Sequence, residues 1–393
     1  MNLQKQKKQN YFLSQPHQPF FILGIINAIV MMLIFSLNYK GIVLLNMDII
    51  NFHVYSLIFT LFTNVFTGFL FTTFPRFNQA EVIDKNYYTR VFYASVLGVL
   101  LFVTGAFVSH NILILGMLVI LIAQIFIVLK LQAIYKQGMA VDKSDSFWIL
   151  LASYFGLLGN ALFILSEAIT PIFQSTAINI SFYLYVIFLA FSVGQRMIPF
   201  FSHSFAQKNE KFVKITFVLF VLMVLFSSFE LKSAELIVDI LLGSYMLREF
   251  LRWELHPFHS PSILWVLHLA IFWLPAAFLI SAFSLLGEIF LNTSFYFLNI
   301  HLLAIGFLTT VLIGFGTRVT LGHAGQSPHA DHVATKIFWF VQVVVILRAL
   351  YSLNIAFEWG LNFLFDISFG AWIILFLVWG MRYGKVLLFG SKV

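Results

Sequence analysis

The 393-residue chain has no cysteine. That excludes disulfides, thiolate metal ligands and haem attached through Cys-x-x-Cys-His. Any metal or haem must be held by His, Met, Tyr or carboxylate. Charge is scarce as well: 10% of residues are charged and 61% are hydrophobic. A soluble protein is about one-quarter charged. So few charges leave a soluble core of this length without a shell, and the solvent must be lipid. Long polar linkers are missing too. The longest polar stretches, 196–211 and 317–336, run to about twenty residues. No separate soluble domain is expected, only a single transmembrane domain over 1–393 with a short basic cytoplasmic tail at 1–19. No convincing internal repeat is visible, although GFLFTTFPRF (68–77) and GFGTRVTLGH (314–323) look faintly alike.

What is present is apolar sequence in runs of spanning length. They lie at about 20–37, 52–75, 91–109, 111–134, 147–166, 176–199, 212–229, 233–251, 262–284, 294–316, 335–355 and 361–381. The fold class is therefore all-α and polytopic, with about twelve transmembrane helices. The first run follows Lys5, Lys7 and Lys8, lacks a small-residue cleavage site and reads as an uncleaved anchor. With the N-terminus inside, 20 of the 23 Lys and Arg fall in inner segments. Only Lys40, Lys232 and Arg348 fall outside. This bias fits the positive-inside rule and places both termini in the cytoplasm. The net charge of +7 then reflects topology and an anionic leaflet, not nucleic acid.

Topology gives each polar residue a depth. Three even-numbered helices end at the inner face in an arginine: TTFPRF (Arg76), GQRMIPFF (Arg196) and GTRVTLGH (Arg318). Arginines that merely snorkel would look the same. Flanking Pro, Gly and hydroxyl residues favour a second reading, guanidiniums gripping anionic groups such as haem propionates. Four of the eleven histidines lie in or beside apolar runs. His53 and His301 belong to the outer half, His268 and His323 to the inner half. Each alone is equally explained by bridging helices, but neutral imidazole is also the usual ligand of haem iron and copper. His301 and His323 are too far apart along one helix to share an ion. Two sites are expected, His53 with His301 and His268 with His323. His17, in PHQPFF, is a further inner-face metal candidate. His256 and His259 (HPFH), His329 and His332 (HADH) and His110 read more simply as loop residues. Glu167 reads as interfacial, and Asn64 as bonded to a neighbouring helix.

Together these motifs resemble the NnrS family of haem- and copper-containing membrane proteins. GTRVTLGHAGQ (316–326), preceded by IHLLAIGF with His301, is the most specific part. PHQPFFILG (16–24), VGQRMIPFF (193–201) and ILWVLHLAIFWL (263–274) also fit. The head of helix 2 departs from the family: His53 is kept, but Tyr55 and Ser56 stand near the places of a second histidine and a glutamate. The resemblance implies a bacterial inner-membrane protein with twelve helices, non-covalent haem b and copper. It implies a role in nitric oxide metabolism, denitrification or resistance to nitrosative stress, with nitric oxide or a related small ligand and an electron-donor protein as partners besides the bilayer. The matching positions are His53, His268, His301, Arg318 and His323, supported by Arg196. Whether a reaction is catalysed stays open at this stage. So do two other functions, a twelve-helix transporter of an anion or proton-coupled solute, and a metal- or haem-handling assembly factor.

Overall fold

A computed structural model describes residues 11–391; the lysines of the basic tail and Val393 lie outside them. Twelve helices fill the described residues, and no strand occurs among these. They are α1 (His17–Tyr39), α2 (Ile49–Phe77), α3 (Lys85–Val108), α4 (His110–Gln137), α5 (Ser144–Ala168), α6 (Pro171–Phe201), α7 (Phe212–Ser228), α8 (Lys232–Arg252), α9 (Ser262–Leu291), α10 (Leu298–His323), α11 (His332–Ala356) and α12 (Phe363–Phe389). Ten are long and apolar enough to cross a membrane. The other two are α7, which has only 17 residues, and α8, which carries Lys232, Glu235, Asp239, Arg248, Glu249 and Arg252. The chain is a polytopic all-α membrane protein. Residues 17–19, placed in the tail by sequence, form the buried first turn of α1. The tail's last part, Tyr11, packs its ring on Gly390, so the two ends of the described chain share a face.

The backbone contains a repetition that the sequence hides. Helices α2, α6 and α10 each hold a π-helical stretch, Ser56–Phe62, Ile180–Ile187 and Leu302–Thr309. They are spaced four helices apart. The first and third stretches each touch the middle one. Around them the same packing recurs three times. A first helix (α1, α5, α9) packs on its π-bearing successor, and the two that follow form a pair (α3 with α4, α7 with α8, α11 with α12). The last helix of each unit packs on the first of the next, α4 on α5, α8 on α9 and α12 on α1, which closes the series into a ring. Sequence reading missed this because bilayer-facing positions accept any large apolar residue, and the backbone can repeat while the side chains do not.

Inner helices and outer pairs differ in burial as this scheme requires. The most apolar windows of α2 and α6 are 89% buried within the protein, those of α11 and α12 only 39%. The wide π turn leaves carbonyls without ordinary helical partners. Side chains take some of them: Thr63 Oγ1 donates to the Ile58 carbonyl, and Thr309 Oγ1 to that of Ala304. Asn64 donates to the Thr60 carbonyl of its own helix, not to a neighbour as the sequence reading expected; Asn27 of α1 reaches that same carbonyl from across the interface.

Candidate functional site

Helices α2 and α10 enter from the same face, and each carries a histidine in its first turns. Asp48 caps α2 by accepting from the Ile50 and Asn51 amides, which fixes the rotation that aims His53 inward. On α10, His301 Nδ1 donates to the Phe297 carbonyl at 2.9 Å, which leaves Nε2 free and holds the ring still. The two imidazoles are neighbours, with centroids 6.3 Å apart and planes 23° apart. Phe35 of α1 lies 4.2 Å from the His53 ring, and His53 Nδ1 is buried without a hydrogen-bond partner.

Arg348 of α11 stands beside this pair, and its charge acts on both histidines. It donates to Ser352 at 2.6 Å and lies over the rings of Tyr296 and Tyr351. No carboxylate among the described residues is within ion-pair distance of it. A cation so placed without a counter-anion is costly. In the sequence Arg348 stands out only as one of three outer-face basic charges. The missed signal was an arginine well inside an apolar run at the depth of two histidines.

The inner histidines pair differently from expectation. His323, the last residue of α10, lies against His17 of α1, with ring centroids 4.9 Å apart and planes at 42°. His17 is buried and its Nδ1 has no partner. His268 takes no part: its Nε2 bonds Ser202 at 2.6 Å and its Nδ1 is buried and unpaired. The reason is rotation and depth. His268 sits two turns inside α9, whereas His323 ends α10 and meets the chain entering α1. Gly325, at φ +67°, reverses the backbone just after His323, while Gly322 remains helical. No group of three His, Asp or Glu side chains among the described residues is close enough to hold a metal ion.

The arginines also fall elsewhere than the propionate reading placed them. His53 and Arg76 are 23 residues apart on α2, roughly 30 Å or more at helical rise. Arg76, Arg196 and Arg318 therefore cannot grip a group held by His53 and His301. Arg196 pairs with Asp145 at 3.2 Å and stacks on Phe77 at 4.5 Å. Arg318 stacks on Phe201 at 3.9 Å. Each arginine thus ties one π-bearing helix to another. Thr317 accepts from the Trp379 indole, and Thr320 is buried without a partner. Arg76 remains exposed, with its charge felt by His17 and His323.

Between the two histidine pairs lies a small apolar cavity. Phe21, Val65, Phe66, Phe69, Ala190, Val193, Val311, Leu312, Phe315 and Gly316 line it, so α1 and all three π-bearing helices meet there. A cavity lined this way rejects ions and accepts small neutral molecules. Among the loop candidates, His110 bonds the Asn46 carbonyl and lies 3.8 Å from Glu167, His329 bonds Ser327, and Asp331 between His329 and His332 pairs with Arg382.

The sequence model of the family described as NnrS protein matches residues 11–389, so the chain belongs to that family. No curated protein matches it.

Proposed function

We propose that this member of the NnrS family is a haem- and copper-binding protein of the bacterial inner membrane that serves nitric oxide metabolism or resistance to nitrosative stress. The observation that carries the reading is the His53–His301 pair. Two imidazoles each bound at about 2.0–2.1 Å to one ion, with half a ring beyond each nitrogen, have centroids roughly 6 Å apart. The observed 6.3 Å matches, His301 offers a free Nε2, and the buried His53 Nδ1 lacks a partner. Arg348 would supply a cation for the carboxylates of a haem b at this place. His53 and His301 would hold such a group, and the chemistry it would supply is electron transfer. The absence of cysteine makes the attachment non-covalent.

His17 and His323 are the proposed copper residues. Their neutral imidazoles lie close together, and imidazole is a suitable copper ligand, so these two residues would hold the ion. His268, bonded to Ser202, is not included. The apolar cavity between the pairs fits an uncharged diatomic such as nitric oxide, which crosses lipid without a polar pore. The protein's own contribution is to fix two ring pairs at opposite ends of α10, to place Arg348 at one of them and to keep water from the space between.

The deciding experiment is an optical spectrum of protein purified from haem-sufficient cells. A Soret band that acid–acetone extraction removes is expected. Colourless protein overturns the reading and favours a transporter or a haem-free assembly factor, whereas haem that stays with the polypeptide overturns non-covalent attachment.

A further inference from the structure

A second polar system runs through the protein away from both histidine pairs, along the seam where α5 meets α6 with α4 and α2 beside it. At its inner end Asp145 is buried and accepts from Gln195 at 2.9 Å, Arg196 at 3.2 Å and Lys208 at 3.1 Å. Asp142 also lies 3.6 Å from Lys208, at the mouth. At its deep end Tyr55 donates to Asn160 at 3.1 Å, and Asn160 donates to Gln124 at 2.9 Å. The Gln124 amide faces Tyr185, whose hydroxyl donates to Thr63 at 2.9 Å. Gly156 and Gly159 permit this convergence. A Cβ at Gly156 would lie 2.8 Å from both Gln124 Nε2 and the Tyr185 ring, and one at Gly159 would lie 2.2 Å from Ser181 Oγ.

Polar contacts between membrane helices ordinarily close on one another. Here they do not. Ser146 Oγ, Ser192 Oγ and Ser181 Oγ are all buried and have no hydrogen-bond partner within the chain. Ser146 and Ser192 lie near Asp145 and Gln195; Gln124 and Ser181 lie at the deep end. Ser153, between them on α5, is buried as well and donates to the Ile149 carbonyl at 2.9 Å. Buried polar groups without protein partners are where water binds, and each such water makes about three hydrogen bonds. From Asp145 to Asn160 the seam spans 15 residues of α5, about 22 Å. No charged side chain faces it beyond the mouth, so it offers nothing to a desolvated ion. Hydroxyls, amides and water, each both donor and acceptor, suit a proton. At the outer end Phe163 and Phe102 pack on Tyr55 and close the path.

We propose that this seam is a water-bearing proton path that opens at Asp145, on the arginine-rich face, and ends at the Tyr55–Asn160–Gln124–Tyr185 cluster. It moves protons only, by hydrogen-bond exchange, and requires no cofactor.

The cysteine-free chain is its own background for the test. A single thiol is introduced as Ser181→Cys at the deep end or Ser192→Cys nearer the mouth. Sealed vesicles are buffered separately on each side, the membrane potential is collapsed, and membrane-permeant N-ethylmaleimide is added. Only the thiolate reacts, and burial keeps its pKa high. Raising the pH by one unit on the Arg76/Arg196/Arg318 side should speed modification about tenfold. The same change on the other side should do nothing. Ser95→Cys, buried on α3 outside the seam, should respond to neither. Adding Ser146→Leu to Ser181→Cys should abolish the response. Rates indifferent to pH on both sides at both seam positions, or rates that follow the opposite side, overturn the path. Because the readout is thiol chemistry in protein with or without haem, it stands or falls separately from the proposed function.

Discussion

The two histidine pairs sit at opposite ends of α10 and are built on different logic. The outer pair joins two inner helices that run the same way, α2 and α10, and is walled by Phe35 and by Arg348 with its tyrosines. The inner pair joins a helix start to a helix end, His17 of α1 to His323 of α10, beneath the exposed Arg76. The outer rings stand 6.3 Å apart and the inner ones 4.9 Å. The first spacing is wide enough for an ion between the two rings. The second is too short for that and leaves the two rings close and tilted by 42°. Similar residues in one protein are thus arranged differently at its two ends, and under the proposed function the difference would separate electron passage from open coordination.

The sharpest way to break this contrast is at the outer pair. His53→Ala and His301→Ala are each expected to remove the Soret band almost wholly, with the double variant no worse than either single one. Haem retained in the double variant would end the assignment. The next largest effect should fall on the inner pair. His17→Ala or His323→Ala should remove copper, measured by metal analysis of purified protein, and leave the haem spectrum within error of wild type. His268→Ala should spare both metals, since its ring is bonded to Ser202. Equal loss of haem from all of these variants would mean that the two pairs are not separate sites.

How much of this was legible beforehand follows from what fixes each pair. Depth fixes the outer one: two histidines about one turn into two parallel helices must lie at one level, and hydropathy alone gives that level. The inner pair depends on how the chain enters α1, which apolar runs do not report. The first run began at residue 20 by hydropathy, yet Gln18, Pro19 and His17 are buried in the helix. His268 shared the right half of the membrane with His323 but not the right depth. Arg348 escaped notice because loop charges were counted, not placed. The three π stretches and the seam beside α5 leave no trace in sequence: serines, glycines and two glutamines at helical spacing are common in ordinary membrane helices.

Arg348 sharpens the outer site further. Lysine there keeps the charge but loses the planar fork, and glutamine loses both. A lost charge-assisted bond costs about 1.5–3 kcal/mol. Arg348→Gln should therefore weaken haem retention roughly tenfold to hundredfold, and Arg348→Lys should fall between it and wild type. The check is haem loss to apomyoglobin over time. Unchanged transfer in Arg348→Gln would remove the arginine from the site.

The smallest effect expected is at Arg318, and it tests the inner rim. The guanidinium lies 3.9 Å over the Phe201 ring and pairs with no carboxylate among the described residues. It ends α10 close to His323 but far below His301. Its tie to Phe201 joins the third π-bearing helix to the second, as Arg196 over Phe77 joins the second to the first. A cation on an aromatic face contributes about 0.5–1 kcal/mol at an exposed site and more when desolvated. Lysine keeps the positive charge at the rim but stacks less well. Arg318→Lys should thus lower the thermal midpoint of the detergent-solubilised protein by a few degrees and leave haem content unchanged. Phe201→Leu should lower it equally, and the double variant should add little, because both changes remove one contact. Arg382 is unsuitable as a control, since it pairs with Asp331; Arg90→Lys, on the exposed side of α3, serves instead. If Arg318→Lys loses haem in folded protein, the arginine acts on the outer site across the length of α10, and the division of the protein into two independent ends fails.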